Sequence, residues 1–231
     1  MEEATAYFWL ATTETVMMAV VVFWGVRRWS ILDRGGRFHI VSIAVYLAYA
    51  MVAAPLSLRG VRTRLLQEGP QLVATILALL GFAAWQPKRW QRQVVLVAIG
   101  AYVVTWGIAQ YLQGVAADFS LVSGPAQILF VTAASGFTLV TRVQVTYERW
   151  TSEFWFWLCT GMMVIYGATV VFEPLLANLF GDRNDLVNLA YHARLVLAIA
   201  GYLMIAWGVW QVDRPVATGR RGARRSVVPG G

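Results

Sequence analysis

Glu14, Gln110, Gln127, Glu173, His192 and Arg194 are hydrogen-bonding or ionisable residues set inside long apolar runs. An ionised side chain at the centre of a membrane-crossing helix costs about 2.5 to 3.5 kcal/mol on insertion scales, so each needs a partner or a use. Glu14 is the deepest. A first helix begun after it would be too short to cross before Arg27, so Thr12, Thr13, Glu14 and Thr15 belong to the span. Glu173 precedes Pro174, Gln127 follows Pro125, His192 and Arg194 open the last apolar run, and Gln110 lies about a turn from the end of its own. The spacing predicts that these residues, drawn from five helices, share one depth and converge on a polar cavity. Arg194 is expected to be neutralised there by Glu14 or Glu173. The competing reading makes Glu173, His192, Arg194 and Gln110 boundary residues that reach for lipid headgroups; Glu14 is too deep and too short for that.

Positioning such a cluster requires helices. The chain is 58% hydrophobic and 13% charged with positive mean hydropathy, whereas a soluble domain carries about 25% charged residues. Its apolar residues fall in blocks of helix-spanning length. The expected fold is all-α, a polytopic bundle of seven transmembrane helices over residues 1–213, with spans near 6–26, 38–57, 67–86, 93–113, 121–140, 154–177 and 189–212. The third is the weakest, because Gly69 and Pro70 precede its continuous apolar stretch, which leaves a tilted helix or a re-entrant turn open. Met1-Glu2-Glu3 offers no basic leader before the first block, so that block is expected to be a retained helix.

Orientation follows from the basic residues. With the amino terminus outside and the carboxyl terminus cytoplasmic, fourteen Lys and Arg fall in inner segments and four in outer ones. Trp24, Trp29, Trp85, Trp90, Trp150, Trp155, Trp157 and Trp210 gather at the inner boundary, where an interfacial belt is expected. Residues 214–231, with Arg220-Arg221 and Arg224-Arg225 among small residues, are expected to form a basic disordered cytoplasmic tail near anionic headgroups. The net charge of +7 is thus explained by topology, and nucleic acid is not an expected partner. The lipid bilayer is, together with a membrane or cytoplasmic protein. High Arg, Ala and Gly usage points to a GC-rich prokaryotic source and a cell inner membrane.

The same residues exclude several chemistries. Seven helices with an outside amino terminus resemble the plan of microbial rhodopsins, which hold retinal on a lysine of the seventh helix; the only lysine here is Lys88, in an inner loop, so no retinal Schiff base is expected. The count also resembles small sugar carriers of three-plus-one-plus-three helices, without their first-helix proline. His39 and His192 enter from opposite sides and cannot share one haem. No HExxH, no G-x-S-x-G elbow and no phosphate loop occurs, and the one cysteine, Cys159, lies within an apolar block, so neither a metal, another cofactor nor an enzyme activity is expected.

Three functions remain. A sensor or receptor module, similar in plan to the seven-helix sensory regions of some bacterial membrane kinases, would bind a small or lipophilic ligand outside and signal through a partner. A solute or ion carrier or channel subunit would need polar lining on both sides of the midplane. A structural accessory subunit would need only packing. The inner half is expected to be dry, its polar atoms being mainly Thr138, Thr160, Tyr46, Tyr49 and Tyr166, which favours the sensor.

Overall fold

The computed structural model describes residues 2–59, 64–113, 123–145, 150–179 and 184–212, and some side chains within these segments are not described. Among the described residues there are seven α-helices and no strand: α1 Glu2–Arg27, α2 Arg34–Leu58, α3 Arg64–Trp85, α4 Arg89–Gln113, α5 Ser123–Val143, α6 Phe154–Leu179 and α7 Asn184–Gln211, with a 3-10 turn at Trp150–Ser152. Six of them, α1 to α5 and α7, contain stretches long and apolar enough to cross a membrane, and α6 contributes the apolar stretch Phe154–Gly167. The proposed basic tail, 214–231, lies outside the described residues.

The third span is a regular helix through Pro70. Proline there removes one backbone hydrogen bond, to a carbonyl in the opening turns, where the loss is least damaging. Space beside Gly69 is open.

The helices form a closed ring in chain order, with α1 against α7; α3 also touches α5, which leaves α4 on the outside. Neighbours alternate in direction. Ser42 of α2 donates to the Ala74 carbonyl of α3 at 2.7 Å, Gly167 of α6 lies by Thr132 of α5, and Gly161 of α6 faces Gly201 of α7. The odd count makes α1 and α7 parallel: Tyr7 meets His192 near their beginnings and Arg28 meets Val209 at their ends. We call the end where α1, α3, α5 and α7 begin the upper end, and the opposite one the lower.

Residues facing the interior recur at heptad-like spacing. On α1 these are Glu14, Met18, Val21 and Gly25, with Arg28 continuing the face just past its end; on α2, His39, Ile43, Tyr46, Ala50 and Ala53. Outward faces stay apolar, as at Phe8, Phe23, Val97 and Leu112. Small residues let the backbones of neighbouring apolar helices approach closely, which adds packing contacts between them. At the α6–α7 contact, a Cβ on Gly161 would lie 2.6 Å from the Gly201 carbonyl oxygen, so only glycine permits this approach.

Candidate ligand-binding site

The lower half of the interior is a closely packed floor. Asp33 caps α2, accepting the Gly36 N–H on Oδ1 at 2.7 Å. Its Oδ2 accepts the Trp85 indole N–H, also at 2.7 Å. That bond holds Trp85 inward, where it stacks on His39 with centroids 4.8 Å apart, and Phe82 meets the imidazole edge-on at 4.4 Å. His39 is 0% exposed, and both of its ring nitrogens lack a hydrogen-bond partner. Gly81 is needed beside it, since a Cβ there would lie 2.5 Å from Nε2.

Around this centre the polar groups are mostly satisfied. Gln86 donates to Thr138 Oγ1 at 2.8 Å and accepts from Thr141 at 2.9 Å. The Arg142 guanidinium sits 5.1 Å over Trp155. Arg28 donates to the carbonyls of Val209, at 2.6 Å, and Trp210, closing the last turn of α7. The expectation of a dry inner half is therefore corrected: polar groups are present, but they are packed shut. The tryptophan belt is corrected in the same region, because Trp85 and Trp155 turn into the core while Trp29, Trp90 and Trp150 remain outside.

The upper half is built differently. Gln127 of α5 is buried and donates its amide N–H to the Tyr46 hydroxyl of α2. Tyr166 of α6 reaches both of these groups. Thr75 of α3 lies by Tyr46 and Tyr102, but gives its own proton to the Gln71 carbonyl at 2.7 Å, and the Tyr102 hydroxyl has no hydrogen-bond partner. Tyr46 thus belongs to the upper cluster and not to the inner half, because the α2 face that begins at His39 carries it up opposite Gln127. Tyr49, near Gln67 at 3.5 Å, is displaced upward in the same way.

The expected site residues divide among three places. Glu14 is half-buried on the inward face of α1, and Arg194 is the cation acting on it. Arg194 is exposed, and the two form no ion pair within 4.0 Å, so the expected neutralisation by direct contact is not made with Glu14. Gln127 joins them through Tyr166, which feels both charges. Gln110 is drawn away to the α3–α4 contact, donating to Glu68 Oε2 at 2.9 Å beside the Trp106 indole at 3.2 Å. His192 packs near Tyr7, with centroids 6.5 Å apart. The side chain of Glu173 lies outside the described residues.

Glu68 was missed although it is 5% exposed; it precedes Gly69-Pro70, where the apolar signal is weakest. Glu68 lies near Tyr102, and Tyr102 near Tyr46, which extends the band across the upper half. No group of three or more His, Cys, Asp or Glu with metal-holding geometry occurs among the described residues.

The chain stands apart. No protein-family model, curated protein or solved structure matches it. Its function must be argued from its own residues.

Proposed function

We propose that this protein is a multi-pass membrane sensor, with its amino terminus outside and its carboxyl terminus in the cytoplasm of a prokaryotic cell. It binds a small or lipophilic molecule in the upper half of its bundle and passes the signal to a partner protein. The observation that carries this reading is the contrast in depth. Hydroxyl, amide and charged groups from α1, α2, α5, α6 and α7 gather above a floor in which His39, Phe82 and Trp85 fill the interior. A bound molecule can be held there by groups that would otherwise be costly in lipid. Below it the interior is filled by packed side chains, which favours recognition over transport. The basic lower segments match the positive-inside pattern.

Accessibility tests both orientation and closure. In a Cys159→Ala background, which removes the buried native thiol, Glu14→Cys is expected to react with a membrane-impermeant thiol reagent applied outside intact cells. Ser135→Cys, at a fully buried position, is expected to stay unreactive from either face. Reaction of both from both faces would instead favour a continuous solute path.

A further inference from the structure

The seam between the beginning of α2 and the end of α3 is built around one imidazole. His39 is 0% exposed, and neither Nδ1 nor Nε2 has a hydrogen-bond partner among the described residues. Trp85 stacks on the ring at 4.8 Å and Phe82 stands against it at 4.4 Å. The Gly81 backbone is so near that a Cβ there would lie 2.5 Å from Nε2. Trp85 is itself fixed, because its indole N–H is bonded to Asp33 Oδ2 at 2.7 Å, and Asp33 Oδ1 holds the Gly36 N–H at 2.7 Å. The other charged and titratable groups around this end of the bundle are engaged elsewhere. On α2, Arg34 lies 5.6 Å over Phe38 and Arg37 donates to the Trp29 and Leu32 carbonyls. Arg28, just past α1, is bonded to α7 carbonyls, Arg142 of α5 sits over Trp155, and α6 brings the buried thiol of Cys159. The α3 residues against the ring, Gly81, Phe82 and Trp85, carry no charge.

We propose that His39 is an acid-operated latch for the floor. As a neutral ring it fills the seam as an aromatic disc. Protonated, it carries a positive charge and two N–H donors, and the closed seam gives neither nitrogen an acceptor. A buried charge without hydrogen bonds is far more costly than a buried neutral ring. Attraction to the Trp85 face offsets part of that cost and leaves both donors unmet. In an opened seam, where water reaches the ring, the imidazole takes its proton as the pH falls below about 6.5, the ordinary histidine value. The closed floor therefore keeps its full stability above that pH and loses it progressively below, as the open form binds the extra proton. Acid at the lower end parts the start of α2 from the end of α3. The latch requires only the packed ring of helices, so it stands independently of the sensor reading.

The test is hydrogen–deuterium exchange on the full-length protein in lipid nanodiscs at about pH 7.5 and about pH 5.5, corrected for the pH dependence of exchange itself. Protection of the backbone amides at 36–43 and 78–85 is expected to fall about tenfold between the two, while that at 195–205 of α7 stays level. The chain has one other histidine, His192. His39→Phe, which keeps an aromatic ring in the seam, is expected to flatten the profile, and His192→Gln to leave it as it was. Protection at the seam that does not change with pH, or that falls equally in all seven helices, would overturn the latch. So would a pH response that disappears in His192→Gln or persists in His39→Phe. The unaltered protein and His192→Gln decide the question even if His39→Phe fails to fold.

Discussion

The two halves of the bundle use polar residues in opposite ways. In the lower half Asp33, Gln86, Arg28 and Arg142 each meet a donor, an acceptor or an aromatic face, while both ring nitrogens of His39 and the Trp155 indole N–H are enclosed by close packing without a hydrogen-bond partner. In the upper half Glu14 and Arg194 attract without touching and the Tyr102 hydroxyl is unpartnered. The lower half is distinguished by dense aromatic packing and the upper by charged and hydroxyl groups. On the proposed reading, that difference would give stability to the floor and recognition to the band above it.

Substitutions can break that division. The largest effect is expected from Trp85→Ala, which removes a buried indole and its bond to Asp33; unfolding in nanodiscs should show a loss of about 3–5 kcal/mol. Gly161→Ala forces α6 from α7 and should lose about 1–3 kcal/mol in the same assay. Glu14→Gln and Arg194→Ala should change unfolding by no more than about 0.5 kcal/mol, the range for substitutions that break no packed contact, while abolishing the response to ligand. Should these two destabilise as much as Trp85→Ala, the upper charges would be structural and the contrast would collapse. Arg221→Ala, outside the described residues, is expected to leave both stability and ligand response unchanged. A lost response there would move part of the function into the tail.

The helices were legible because runs of about 20 apolar residues have few alternative uses, and α1 and α7 differ from their expected spans mainly by extra turns at their upper ends. The heptad-like face of α1 also places Glu14 inward, as its depth required. Partnerships were harder to read. Gln110 faces Glu68 and not the central cluster because α4 lies outside the ring, and no residue within α4 announces that displacement. Tyr46 lies mid-helix, where the reach of its own side chain decides which half it joins, and the sequence does not show that reach. Trp85 looked interfacial by position alone; it is turned inward by Asp33, a partner fifty-two residues away, together with the open face that Gly35 and Gly81 provide on α2 and α3.

The Arg28 bonds to the Val209 and Trp210 carbonyls span 181 and 182 residues of sequence. That contact ties the lower end of α1 to the lower end of α7, so Arg28→Ala is expected to loosen the ring at this one seam and leave the other neighbouring helix pairs in place.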